Sequence, residues 1–287
     1  MREYPRFLTK GFKPFDPIEL AKETEKIVTR KGEEGLERKY TAFYSVPVYR
    51  GIATGYAVGC CLRCMYCWSD WSRDFPEYFG KFYSPKQTAE RLFEAAKEGI
   101  TYSEYWRKLI PKIYKLRLSG CEPTIGKEHL LQLLEYVMDS DYPLFILETN
   151  GILLGHDRSY VERLAEFKKR LYVRVSIKAA TPEGFTQRTG AIGKYYKLPF
   201  KALRYLLDEG IVARAAAMTD PKVMPREERE NLIGMLEEID PQANYSTTLE
   251  EEIIDPYDTT IKRIKAYFDP EYARKLKEEI VKLANVQ

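Results

Sequence analysis

The sequence predicts an α/β chain in which short apolar strands alternate with amphipathic helices around a parallel sheet. Three observations carry that expectation. The 287 residues are 44% hydrophobic, enough for one large core in a single unit. Six strand-like runs, at 43–52, 115–119, 144–148, 171–177, 211–217 and 244–249, are mostly separated by helical patterns rather than tight turns. Within 171–178 the side chains alternate: Val173, Val175 and Ile177 on one face, Arg174, Ser176 and Lys178 on the other. Six units suit a partial (β/α)6, TIM-like barrel better than a closed eightfold one. A doubly wound sheet is the alternative, and periodicity does not separate the two. Either way, chemistry collects at the C-terminal ends of the strands.

Taken in order, residues 1–42 read as an N-terminal helical extension, 43–250 as the core, and 251–287 as a C-terminal helical segment packed on it. Ser84 and Pro85 cap and open the first core helix, and a second stretch, 102–109, stops near Pro111. Helices are expected at 127–138, 160–169, 200–208 (ended by Gly210) and 227–238. Asn150-Gly151 closes the third strand. Asp269-Pro270 opens a terminal helix with Tyr272, Leu276, Ile280 and Leu283 along one apolar stripe, a core-packing face.

Forty-six Lys and Arg against 43 Asp and Glu leave a net charge of +3, too mild to demand a nucleic-acid partner. No apolar run approaches the roughly 18 residues of a membrane span, and the first residues offer no signal-peptide core. A cytoplasmic protein without membrane attachment is the expectation. Five cysteines, four of them crowded between 60 and 67, argue against a disulfide framework.

Those four lie in GYAVGCCLRCMYCWSDW, residues 55–71. Thiolates select zinc or iron–sulfur clusters. Read as Cys61, Cys64 and Cys67, the spacing opens a ferredoxin-like run, but the fourth cysteine position holds Trp71. A structural zinc site needs a fourth ligand, and His129, His156 and Cys121 stand isolated in sequence. Read as Cys60-x3-Cys64-x2-Cys67, the loop gives three thiolates and leaves one metal position open for a substrate.

That second spacing, with aromatic Tyr66 before the last cysteine, resembles the signature of the radical S-adenosylmethionine (radical SAM) superfamily. Gly120-Cys121-Glu122-Pro123 stands where that family carries Gly-Gly-Glu-Pro. Glu148-Thr149-Asn150-Gly151 and Ser176-Ile177-Lys178 are similar to Asp-Thr-Asn-Gly and Asp-Leu-Lys of the glycyl-radical activating enzymes. The likeness runs from about 43 to 217.

The resemblance implies a four-iron, four-sulfur cluster on Cys60, Cys64 and Cys67, with the SAM amino and carboxylate groups on the open iron. One electron, from a donor such as ferredoxin or flavodoxin, then yields methionine and a 5′-deoxyadenosyl radical that abstracts hydrogen. It further implies that the backbone of 120–123 (Gly120, Cys121, Glu122, Pro123) and the Glu122 side chain hold the SAM amino group, and that Tyr66 lies near the adenine. Lys178 is assigned to the SAM carboxylate and Ser176 to the ribose or carboxylate. Arg117, Glu148 and Arg214 fall on inward positions, as ligand contacts or as an internal salt-bridge network. The strand-end motifs imply a glycine on a partner protein as hydrogen donor, while the charged inner positions suit a small polar metabolite or nucleotide. A non-catalytic iron–sulfur electron-transfer protein is the reading from another class.

Overall fold

The computed structural model describes residues 4–69, 71–99, 113–240 and 249–284. The N-terminal extension carries its helix, α1 (Pro17–Val28). Asp16 caps it by accepting from the Ile18 and Glu19 amides, and Pro17 takes the first turn. The rest of the described extension is not helical. β1 (Thr29–Gly32) and β2 (Gly35–Val46) form an antiparallel hairpin; its charged, mostly exposed first strand gives no apolar alternation to read.

The strand expected at 43–52 is two strands. β2 ends at Val46, Pro47 leads into a 3-10 turn at Val48–Arg50, and β3 (Ile52–Ala57) returns antiparallel to β2. Tyr49 and Arg50 adopt φ of 54° and 59°, the left-handed region non-glycine residues seldom enter. Pro47 and Gly51 flank that reversal, turn signals that the reading of one strand over 43–52 passed over. β4 (Lys81–Tyr83) pairs with the far side of β2.

Five further strands continue from β3: β5 (Lys115–Gly120), β6 (Leu144–Thr149), β7 (Leu171–Ile177), β8 (Val212–Met218) and β9 (Leu249–Glu252). All pair in parallel, in chain order. A doubly wound sheet reverses its order partway across; this one does not, so it is a partial barrel, with no pairing between β9 and the hairpin end among the described residues. The sixth strand was expected at 244–249. It is seen at Leu249–Glu252, and 241–248 lie outside the described residues, as does the helix expected at 102–109.

The outer layer is α2 (Pro85–Glu98), α3 (Lys127–Met138), α4 (Ile152–His156), α5 (Arg158–Leu164), α6 (Pro182–Thr189), α7 (Leu198–Asp208) and α8 (Arg226–Glu237). Ser84 and Gln87 close a reciprocal capping box on α2. The helix expected at 160–169 gives way to a 3-10 turn after Leu164. Val173, Val175 and Ile177 are fully buried beneath these helices, with Leu116, Leu118, Phe145 and Leu147. α9 (Asp258–Phe268) and α10 (Pro270–Ala284) close the chain. Leu276 and Ile280 of the predicted stripe are buried beside Phe7, Phe75 and Phe79, whereas Leu283 is exposed. None of the described helices is long and apolar enough to cross a membrane.

Candidate active site

The cysteine loop leaves β3 and is suspended by main-chain bonds. Arg63 N donates to Thr189 O (2.9 Å), Met65 N to Arg188 O (3.0 Å) and Gly59 N to Ser72 O (3.1 Å). Two glycines permit the approach. Gly59 has φ +82°, and a Cβ there would stand 2.5 Å from the Thr24 methyl. Gly120, at φ +95°, would meet the backbone of Ala57 at 3.0 Å.

Cys60, Cys64 and Cys67 line a single cavity of about 350 Å³ at the C-terminal ends of the parallel strands. Cys61 does not line it. Its thiol is fully buried beside Asn150, whose Nδ2 lies 3.3 Å from Cys61 Sγ and 3.6 Å from Cys60 Sγ. Burial pushes the Cys64 thiol up to about 12, against the pull of Lys178. Cys60 goes the other way: a hydrogen bond from Cys61 lowers it, outweighing burial, and Cys61 rises correspondingly. Among the described residues no three Cys, His, Asp or Glu side chains converge on a single metal ion. A four-iron cluster makes a different demand, one thiolate per iron spread around a cage. Three cysteines on one cavity wall, two of them nearly buried, suit that donor set.

Lys178 and Ser176 line the same cavity, joined by an Nζ to Oγ hydrogen bond of 2.5 Å. The Lys178 ammonium stands 5.9 Å from the Tyr66 ring centroid, and the Tyr66 hydroxyl is buried without a hydrogen-bond partner among the described residues. Gly120 and Cys121 also face the cavity, the Cys121 thiol lying 3.3 Å from Ser69 Oγ.

Three expected site residues do not line it. The fully buried Glu122 carboxylate is occupied within the protein. Its Oε1 accepts from Thr124 N (3.1 Å), Thr124 Oγ1 (2.6 Å) and Thr149 Oγ1 (2.7 Å), and its Oε2 from Asn150 N (2.7 Å). It ties the ends of β5 and β6 together instead of presenting oxygens to a ligand. Pro123 is buried behind it. Arg214 pairs in register with Arg174 but sits low on β8, its guanidinium 6.0 Å from the Tyr172 ring.

The inward charges form a ladder. Glu148 accepts from Tyr49 Oη (2.9 Å), Arg117 Nη1 (3.1 Å) and Ser119 Oγ (2.5 Å). Arg174 donates to Glu250 (2.6 Å) and Glu252 (2.7 Å). Burial would raise Glu252, but Lys178 and Arg174 outweigh it and lower the carboxyl. Glu250 and Glu252 were missed from sequence, although their spacing of two on a strand was a usable signal. Asn150 and Arg73, which also line the cavity, gave none beyond the Asn-Gly turn.

A family model described as the radical SAM superfamily matches residues 56–239, well over half the chain. No curated protein matches. Among solved structures, SuiB of Streptococcus suis bound to S-adenosylmethionine is 17% identical, with a TM-score of 0.52 over 79% of this chain and 46% of that one. SuiB bound to precursor peptide SuiA gives 0.54 at 17% identity, over 82% and 45%. A radical SAM methyltransferase from Sphaerobacter thermophilus gives 0.51 at 12% identity, over 83% and 68%. These likenesses concern the fold, and the chain spans less than half the length of SuiB.

Proposed function

The chain belongs to the radical SAM superfamily, and from that premise we propose that it cleaves SAM reductively in the cavity of Cys60, Cys64 and Cys67 and draws hydrogen from a substrate there. Its cofactors are those of the family, a four-iron, four-sulfur cluster and SAM. When bound, they supply one electron and the sulfonium bond it breaks, giving methionine and a 5′-deoxyadenosyl radical. The three cysteines would hold the cluster through three of its irons. Lys178, with Ser176 beside it, takes the SAM carboxylate at the end of β7, and the backbone at Gly120 and Cys121 takes the amino group. Tyr66 walls the adenine side. Glu122 acts behind these residues, fixing the strand ends. The catalytic unit is read as 43–250, wrapped by 1–42 and 251–287.

One observation carries this reading: three thiols and an inward lysine share one cavity at the strand ends. The hydrogen donor proposed first is a glycine on a partner protein, from the strand-end motifs. A small polar metabolite or nucleotide is the second reading, favoured by the charged ladder of Glu148, Arg117 and Arg174. The electron comes from a ferredoxin- or flavodoxin-type donor.

The test is anaerobic reconstitution with iron and sulfide, reduction, addition of SAM and quantification of 5′-deoxyadenosine against Cys64→Ala. Deoxyadenosine from the parent chain that vanishes in the variant is expected. An intact four-iron cluster with no deoxyadenosine under several reductants would overturn the proposal.

A further inference from the structure

Behind the cysteine loop three arginines share one carboxylate. Arg73 meets Asp74 through contacts of 2.6 and 2.9 Å, Arg263 adds one of 3.0 Å, and Arg63 stands 3.8 Å away. All four side chains are sealed, 0–2% exposed. Guanidinium stays protonated throughout the range in which a protein folds. Among the described residues one carboxylate balances one of the three, which leaves two buried positive charges in excess. Arg6, which donates to the Asp74 carbonyl, brings its own counter-charge in Glu77 and does not alter that sum.

Uncompensated buried charge is costly. Part of the compensation is aromatic: Arg263 lies 4.9 Å from the Trp71 ring centroid and Arg63 5.1 Å from that of Tyr4. It is incomplete, because Arg63 Nη2 and Arg263 Nη2 are buried without a hydrogen-bond partner among the described residues. The cage is also aimed. Arg63 Nη1 donates to the carbonyls of Cys60 (2.7 Å) and Leu62 (2.9 Å), and Arg73 Nη1 to that of Cys64 (2.6 Å).

We propose that Arg63, Arg73 and Arg263 are positioning residues whose excess positive charge stabilises the reduced cluster and so raises its reduction potential. The proposal rests on the reading of Cys60, Cys64 and Cys67 as ligands. Three thiolates on a doubly positive four-iron core leave the assembly with one negative charge, and an electron from the protein donor makes it two. The donor is oxidised by one electron, the cluster is reduced by one, and no proton moves. The two negative charges of the reduced assembly are matched by the two positive charges that the cage holds in excess.

The experiment is a potentiometric titration of the reconstituted, SAM-free protein, following the paramagnetic signal of the reduced cluster. Arg263→Gln removes a positive charge without touching the carbonyls of the loop. At a fixed solution potential it should lower the ratio of reduced to oxidised cluster by on the order of threefold to tenfold, and Arg263→Lys should restore most of it. Asp74→Asn should move the ratio the opposite way. Damage to packing alone would not give opposite signs. A cluster-loaded Arg263→Gln variant with an unchanged ratio overturns the proposal and leaves the cofactor reading standing. A parent chain that assembles no four-iron cluster overturns both.

Discussion

The protein keeps charge inside itself in two different ways. Around Asp74 the guanidiniums outnumber the carboxylate, every side chain is sealed, and some of the spare N–H groups are spent on backbone carbonyls while Arg63 Nη2 and Arg263 Nη2 find no partner among the described residues. Along the inner face of the barrel the carboxylates match or outnumber the arginines, and the side chains of Arg117, Glu148, Arg174, Glu250 and Glu252 keep 9–31% of their exposure. The first arrangement cannot exchange partners without unfolding something. The second can release a carboxylate or guanidinium to an incoming polar group at modest cost. Burial, more than the number of charges, separates the part that holds the fold from the part proposed to meet a substrate.

Substitutions can break that comparison, beginning with the largest expected effect. Asp74→Ala leaves three buried guanidiniums with no anion among the described residues. Burial would raise the Asp74 carboxyl, but Arg73, Arg263 and Arg63 hold it well below the usual carboxylate range, so the charge is present at every pH where the fold survives. Its loss should cost about 3–5 kcal/mol in a chemical-denaturation experiment; a change under about 1 kcal/mol would mean that the sealed charges hold the fold no more firmly than the ladder does. Glu122→Gln comes next. The new amide cannot accept the Asn150 and Thr149 bonds with both ends, so about 1–3 kcal/mol should be lost. SAM affinity should fall with stability, since the strand ends move; undiminished stability with lost binding would restore Glu122 as a direct ligand.

His129 tests what burial does to a titrating group. It is fully buried, and desolvation, aided by Arg38, lowers it to about 3 from an ordinary value near 6.5. In that window the unfolded chain binds the extra proton, so stability is complete above about pH 7 and falls as pH drops toward 3. The slope is at most about 1.4 kcal/mol per pH unit. Denaturation midpoints of the parent and His129→Gln at pH 7 and 5.5 check it: the variant should lose this part of the acid sensitivity. The smallest stability effect is expected for Glu148→Gln, below about 1 kcal/mol, because the group is only partly buried. Its signature should be a raised KM for the substrate, and a large drop in stability with unchanged KM would move the ladder into the structural class.

Strand parity was legible. The alternation in 171–177 follows from residue types alone, and Arg174, Ser176 and Lys178 all line the cavity. The bounds of α3 fell where the apolar spacing put them. The reversal at 47–51 was partly legible, since Pro47 and Gly51 are turn residues, but the left-handed conformations of Tyr49 and Arg50 leave no trace in their residue types. Glu122 was assigned to a ligand because its motif was visible and the hydroxyl and amide groups that occupy it were not. The Asp74 cage was invisible for another reason. Arg63, Asp74 and Arg263 are brought together by the long-range path of the chain, and a sequence full of surface arginines gives no hint which ones go inside.

Arg188 does two tasks at once. Its carbonyl accepts from Met65 N in the cysteine loop, while its guanidinium donates to the Lys178 carbonyl at 2.8 Å. The spacing between the sulfur-bearing loop and the lysine opposite it is therefore gauged by the length of one side chain, itself anchored by Glu228. A lysine at that position would keep the charge and shorten the gauge, and the two walls of the cavity would lose their common ruler while each remained folded.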